Sequence, residues 1–492
     1  MTYRPYSAMI HHRKSWAIFA LVLALSTVAQ GQVELERFQR QLEQIRRETR
    51  LFINKDIPAD QRARINYGGY INFSFLGIDD TDQETHLLRQ TTLVGYADVS
   101  FDGVHEFFVR GRSTYRDWND GDNFDGHGDD WTEPMLDRVH YRFNLKRSIE
   151  ANEGRTIDGN LVIQGGRQLV HWANGLTLSR EIDGGQVTAS LGPWSLQGVA
   201  GMTRNSSTDL DSSRPDFSDD TDREFYGGLL SYKLSPKHQP YVYALVQEDH
   251  NDSGPFLVSG IPTAFEYDSH YIGVGSKGSI GDQLLYGVEL VYQGGTGLSS
   301  SFDADTLAIV AQTHEGIRAL AADIRLDYML ADANRTRLSG ELIIATGDSD
   351  RATTTNTLGG NRSGTPDRAF NAFGLLNTGL AFNPNVSNLL LVRLGASTFP
   401  MPQSTLFGKL QVGTNLFISN KLKSNAPIDE DTLTTSTDDT RYIGFEADFF
   451  ANWQITSDTA LTVRYGMFLP GDAIAGDHDS RHFFFTGLTV AF

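Results

Sequence analysis

From Ile65 onward, apolar and polar residues alternate with a period of two, segment after segment. In 65–75, Ile65, Tyr67, Ile71, Phe73 and Phe75 alternate with Asn66, Gly68, Asn72 and Ser74. In 139–145, Val139, Tyr141, Phe143 and Leu145 alternate with His140, Arg142 and Asn144. In 284–292, Leu284, Tyr286, Val288, Leu290 and Tyr292 oppose Gly287 and Glu289. In 443–455, Ile443, Phe445, Ala447, Phe449, Trp453 and Ile455 oppose Glu446, Asp448, Asn452 and Gln454. In 461–469, Leu461, Val463, Tyr465, Met467 and Leu469 oppose Thr462, Arg464 and Gly466. The chain stops on the same pattern, with Phe484, Leu488, Val490 and Phe492 on one face. Alternation of this kind sends neighbouring side chains to opposite faces of a strand.

About eighteen such segments follow one another, starting near residues 64, 86, 103, 135, 160, 184, 193, 222, 239, 267, 282, 316, 335, 388, 404, 440, 458 and 481. Short connections such as Phe101-Asp-Gly103, Leu191-Gly-Pro193, Gly278-Ser-Ile-Gly281 and Thr456-Ser-Asp458 alternate with long polar ones. Short turns at one end and long loops at the other are the arrangement of outer-membrane barrels. The expected fold is all-β, a transmembrane antiparallel β-barrel of about 18 strands with a short N-terminal periplasmic helix. Residues 348–387, rich in Gly, Thr and Asn before Phe370-Asn-Ala-Phe373, are expected to form a long loop folded into the lumen as a constriction.

The first 62 residues follow other rules. Arg4, Arg13 and Lys14 precede an apolar run from Trp16 to Leu25, and Thr27-Val-Ala29 supplies small residues before Gln30. This is the layout of a cleaved secretory signal over 1–29. In 33–55, Leu35, Phe38, Leu42, Ile45 and Phe52 recur at three- and four-residue spacing. They predict an amphipathic, heptad-like helix that Pro58 ends, suited to a periplasmic partner or to self-association. The expected organisation is a signal over 1–29, helix and linker over 30–62, and a barrel over 63–492.

Composition agrees with a barrel. Hydrophobic residues make up 39% of the chain, and no stretch after residue 30 has 18 consecutive apolar residues, so spanning helices are excluded. A barrel escapes that test because lipid-facing and lumen-facing residues average out. The formal net charge of −19 argues against nucleic acid as a partner. The absence of cysteine removes disulfide scaffolds and thiolate sites. Export plus a barrel places the chain in the bacterial outer membrane, among lipid and lipopolysaccharide.

Candidate chemistry gathers on two neighbouring segments. Arg110, Arg112 and Arg116 alternate against Phe107, Val109 and Tyr115, and Arg138, His140 and Arg142 alternate against Val139 and Tyr141. An Arg facing lipid near the midplane costs about 2–4 kcal/mol, so the basic face is expected to line the lumen. A ladder of guanidinium forks suits carboxylate, sulfate or phosphate groups on a passing solute. Arg325, Arg337, Arg393, Lys409 and Arg464 map to the same face. So do the acids Asp98, Glu106, Asp323, Asp327, Glu341, Glu446 and Asp448. The ladder therefore either selects anions or is neutralised in a structural network of wall ion pairs. In the acidic loop 117–130, Asp120, Asp122 and Asp125 suit Ca2+, although their spacing is not that of an EF-hand, and a solvated acidic loop is the plainer reading. No HExxH or GxSxG pattern marks an enzyme, and no other cofactor is expected.

Four short segments carry a family resemblance: Gly166-Arg167-Gln168, Arg180-Glu-Ile-Asp183-Gly184, Ala345-Thr-Gly347-Asp348-Ser-Asp350 and Tyr465-Gly-Met-Phe468-Leu-Pro470-Gly471-Asp472. Over roughly 65–492 the chain resembles the alginate-export-type outer-membrane barrels. The resemblance implies a monomeric eighteen-stranded barrel and an arginine-rich lumen that passes an anionic polysaccharide. It also implies pore roles for Arg167 and Arg180, which stand at its motif positions. The function expected is a passive channel for anionic saccharides. The alternatives are a general diffusion porin without a dedicated polymer, or a barrel that binds or anchors.

Overall fold

The computed structural model describes residues 63–80, 84–123, 129–204, 206–211, 214, 221–251, 254–258, 261–301, 308–351, 361–428, 440–476 and 478–492. The expected signal and the 33–55 helix lie outside the described residues, as does Asp125. Eighteen strands build the wall. The first six are β1 Arg64–Asp79, β2 Thr85–Phe101, β3 His105–Trp118, β4 Met135–Asn144, β5 Gly159–His171 and β6 Ser179–Leu191. The next six are β7 Trp194–Thr203, β8 Arg223–Tyr232, β9 His238–Asp249, β10 Tyr267–Ile280, β11 Leu284–Leu298 and β12 His314–Met329. The last six are β13 Arg337–Ala345, β14 Leu389–Thr398, β15 Leu410–Lys421, β16 Tyr442–Gln454, β17 Thr459–Pro470 and β18 Arg481–Ala491.

Each strand pairs antiparallel with its sequence neighbours, and β18 pairs back onto β1 with Ile71 opposite Val490 and Phe73 opposite Leu488. Closure gives every strand a partner on both sides, as a sheet that spans lipid requires. Phe492 completes the seam by exchanging backbone hydrogen bonds with Gly69 (2.9 and 3.1 Å). Gly69 is required there: a Cβ would come within 2.8 Å of the Phe492 ring and 2.6 Å of the Val94 carbonyl.

The faces are inverted relative to a soluble protein. Tyr67, Phe73, Phe107, Val288, Leu290, Phe449 and Leu488 are exposed on the outside, whereas Asn72, Gln90, Thr92, Glu289, Asp323 and Glu446 are buried inside. The expected eighteen strands and the outward apolar set are therefore present. The 443–455 segment differs at its start. Ile443, expected outside with Phe445, is fully buried, because the β15–β16 register slips at Ser419/Asn420 and makes Ile443 an extra residue.

Short turns close one end. Asp102 and Gly103 both take positive φ (53° and 68°), and Gly192-Pro193 connects the pair Leu191 and Trp194. One connection at this end holds the helix α1, Leu145–Glu153. The Asn144 side chain caps it by accepting from the Arg147 N–H at 3.2 Å, and Gly154 ends it in the left-handed region. Period-2 reading carried the strand through Leu145 and missed this helix. Among the described residues no helix is long and apolar enough to cross a membrane.

Candidate functional site: the barrel lumen

The basic strands do not form a free ladder. Arg110 pairs with Arg138 and Gly111 with Leu136, which leaves Asp137 as an extra residue in β4. Leu136 (54% exposed) and Val139 (38%) point outward. The two residues between them, Asp137 and Arg138, are both 1% exposed. Such a bulge is how two successive side chains turn to the same side. Arg110 then grips Asp137 with Nε at 2.8 Å and Nη2 at 2.7 Å. Arg138 Nε donates to Glu181 at 3.2 Å, and Arg204 Nη1 donates to the other Glu181 oxygen at 2.6 Å. Arg112 and Arg204 both reach the Met135 sulfur, at 3.6 and 3.4 Å.

By register Glu181 belongs to the outward set of β6. The cluster thus fills a seam in the wall, where β4 and β5 part above the pair Val139 and Arg167. Arg110 and Arg138 are consumed there, as a buried network held together by its own carboxylates. Asp137, Glu181 and Arg204 escaped the sequence reading. The one available signal was Leu136-Asp137-Arg138-Val139, where two polar residues interrupt the alternation.

The remaining candidates are spread around the wall. Arg116, His140, Arg142 and Arg464 lie inward and partly buried, as does Arg112 at the edge of the seam cluster. Arg142 pairs with Glu106 at 3.3 Å, and the His140 ring stacks on Phe108 at 5.3 Å. On the far wall Arg325, Glu341 and Arg393 are direct cross-strand neighbours. Glu341 takes Arg325 and Arg393 at 2.6 Å each, and Asp323 takes Arg325 at 2.8 Å. Arg337 pairs with Asp327 at 2.7 Å near the short-turn end. Arg180 sits 4.8 Å over the Phe373 ring.

Two candidates leave the lumen. Arg167 stands opposite Val139 and Asp183 on the outward parity and pairs with Asp183 at 2.6 Å, so its motif position is on the outer surface. Lys409 is exposed in the turn before β15 and lines no strand.

Two of the three carboxylates of the expected cation loop are described. The Asp122 carboxylate accepts the Leu87 N–H at 2.8 Å, and Asp120 is exposed. Among the described residues, carboxylate and imidazole groups that converge within 4.8 Å are Glu224, Glu248 and His250, on the outward side of β8 and β9.

The long-loop half of the lumen is filled by two connections. Residues 172–178, between β5 and β6, cross to β11 and β12: the Asn174 N–H donates to Glu289 at 2.8 Å and its side-chain amide to Asp323 at 2.9 Å. Trp172 lies buried against Tyr243 of β9, ring centroids 6.0 Å apart. The expected loop over 348–387 lies in the lumen in its described parts, 348–351 and 361–387. The Ser179 N–H donates to the Phe373 carbonyl and the Leu375 N–H to the Gly175 carbonyl, both at 2.8 Å, so the two loops pair with each other. The Asn371 N–H donates to Gln293 at 2.9 Å, and the Tyr271 hydroxyl donates to the Asn371 carbonyl at 2.7 Å. At the other wall the Glu446 carboxylate accepts the N–H groups of Leu380, Ala381 and Phe382 at 2.5, 2.8 and 3.0 Å.

Solved structures superpose on most of the chain. OccK11 (OpdR) of Pseudomonas aeruginosa matches with a TM-score of 0.52 at 12% identity, over 90% of this chain and 99% of its own. OccAB1 of Acinetobacter baumannii matches with a TM-score of 0.53 at 11% identity, over 89% and 99%. A BenF-like porin from Pseudomonas fluorescens Pf-5 gives 0.51 at 11% identity, over 87% and 98%. At these identities the likeness establishes the barrel fold alone. No curated protein matches the chain. A family model described as Alginate export matches residues 164–486, from within β5 into β18.

Proposed function

The chain belongs to the alginate export family and is an outer-membrane channel; from that premise we propose that it passes anionic solutes, carboxylate-bearing saccharides above all, and reaches the membrane through a cleaved N-terminal signal. The observation that carries this reading is the inward register of Arg112, Arg116, Arg142, Arg325, Arg393 and Arg464 along a polar lumen. None of these can turn to lipid without a cost of about 2–4 kcal/mol. Guanidinium forks offer paired donors to a carboxylate, and their partial hydration keeps each contact weak enough for the solute to move on.

The ion pairs support a second reading, a general diffusion porin. Arg142, Arg325 and Arg393 each already hold a carboxylate. Reversal potential in planar bilayers under a KCl gradient separates the two. The wild type should prefer anions, and Arg112→Ala/Arg142→Ala/Arg393→Ala should lose most of that preference. Raising the salt should weaken it too, as the Debye length falls from about 10 Å at 0.1 M to about 3 Å at 1 M. A cation-preferring wild type, or a triple variant with unchanged selectivity, favours the general porin.

A further inference from the structure

Two aromatic rings of one segment touch strands nine places apart in the eighteen-strand ring. Phe373 meets Phe225 of β8 edge-on at 5.4 Å, and Phe382 stacks on Phe468 of β17 at 4.3 Å. Strands so placed face each other across the lumen, so residues 373–382 form a strap along its diameter. Ten extended residues reach about 30 Å, enough for the crossing. Phe370, Phe373, Leu376 and Phe382 are buried beneath and around it. The strap and its buried rings stand across the path a hydrated polymer would take through the lumen.

Its two ends are held differently. At the β8 side it is paired to 175–179 through backbone hydrogen bonds and buried rings. At the β16–β17 side the main polar hold is one side chain. Three successive N–H groups, of Leu380, Ala381 and Phe382, converge on the Glu446 carboxylate. The Thr378 hydroxyl donates to the Asn383 side-chain oxygen at 2.6 Å and closes the turn. Gly379 has φ +143°, and a Cβ there would lie 2.6 Å from Glu446 Oε2. Successive amides turned to one point make an anion-binding nest.

We propose that this nest is a carboxylate-binding site of the transport path, occupied in the closed channel by the wall's own Glu446, and that a solute carboxylate takes Glu446's place and frees the strap. The exchange conserves the three N–H···O bonds, which pass from one carboxylate to another, while the released Glu446 stays beside Asp448, with which it shares a side-chain hydrogen bond. A neutral sugar offers no equivalent acceptor, so the strap itself discriminates charge. The identity of the ligand rests on the anionic-saccharide reading above; the strap and its hold on Glu446 do not.

The test is single-channel conductance of the full chain in planar bilayers, with trigalacturonate and neutral maltotriose as probes. The wild type should open more often with trigalacturonate and be unaffected by maltotriose. Glu446→Gln keeps the shape but removes the charge, and should raise the resting open probability about tenfold while abolishing the response to trigalacturonate. A second variant fastens the strap. An ideal Cβ on Gly466 of β17 lies 2.9 Å from Leu380 Cβ and 2.8 Å from Asp448 Oδ1, so the strap and the Asp448 side chain must give way by about half an ångström to reach the roughly 3.5–4.5 Å Cβ separation of a disulfide; the chain has no cysteine of its own, and Leu380→Cys/Gly466→Cys introduces a single thiol pair. Oxidised, it should stay closed with either probe; reduction should restore opening. An oxidised pair that conducts like the wild type, or a Glu446→Gln channel with wild-type resting conductance, overturns the strap. A wild type that ignores trigalacturonate while Glu446→Gln opens overturns the carboxylate exchange. Cation preference in the reversal-potential experiment, with Glu446→Gln still opening, removes the anionic solute and leaves the strap standing.

Discussion

Asp137 shows how one residue changes the meaning of its neighbours. It is the extra residue of a bulge, and it converts Arg110 from a solute-facing cation into half of a buried ion pair. Breaking a buried pair from one side leaves an uncompensated charge, at a cost of about 3–5 kcal/mol. Asp137→Ala should therefore lower the urea concentration at which the heat-modifiable folded band is lost. Arg110→Met/Asp137→Leu, which removes both charges, should recover most of the loss. If the double variant is as weak as the single one, the seam needs the charges themselves. Substitutions on the other face have a different cost. Leu290, exposed among Val288 and Tyr292, faces lipid, and Leu290→Arg should cost about 2–4 kcal/mol near mid-membrane. Lys277→Arg, already in a polar setting near the turn end of β10, should leave the same unfolding midpoint in place.

The strands were legible in the sequence because alternation is a within-strand property. Val288 and Leu290 outside and Glu289 inside follow from spacing alone, and so do the inward Arg325 and Glu341. What depends on register between strands was not legible. Arg167 looked lumenal as a motif arginine, yet its cross-strand neighbours Val139 and Asp183 set it outside. The Asp137 and Ile443 bulges shift the faces on one side of themselves, and only the partner strand reveals the shift. Helix α1 was missed because its nine residues offer only Leu145 and Ile149 as an apolar stripe, and Leu145 also continues the strand alternation of β4. The lumenal loop was suggested by its length and its Phe370-Asn-Ala-Phe373 patch. Its anchors, Glu446, Gln293 and Tyr271, come from strands far away in sequence, and no local pattern identifies them.

At the scale of the whole molecule the described residues make a polar interior inside an apolar sleeve, filled in its long-loop half by two connections. The short-turn half carries the inward pairs of Arg142 with Glu106 and Arg337 with Asp327, while the long-loop half holds Trp172, Phe373 and Phe382. The proposed selection by wall charge and the proposed selection by the strap use different residues, so the reversal potential and the open probability should respond to different substitutions. The seam between first and last strands has a consequence of another kind. The Asn72 side-chain amide donates to the Thr489 hydroxyl at 2.8 Å across 417 residues of sequence, and Gly69 meets the final residue, Phe492. Contacts of such separation form slowly, because the entropy of closing the ring is spent before the contacts return anything. Closure also waits for the last strand to exist. The chain must be synthesised, exported and kept from aggregating in full before its first strand has a permanent neighbour on both sides. Deleting Phe492, or replacing Gly69 with Val against the Val94 carbonyl, should slow the appearance of the compact band in a timed detergent-refolding assay. Anion selectivity of the molecules that do close should stay the same.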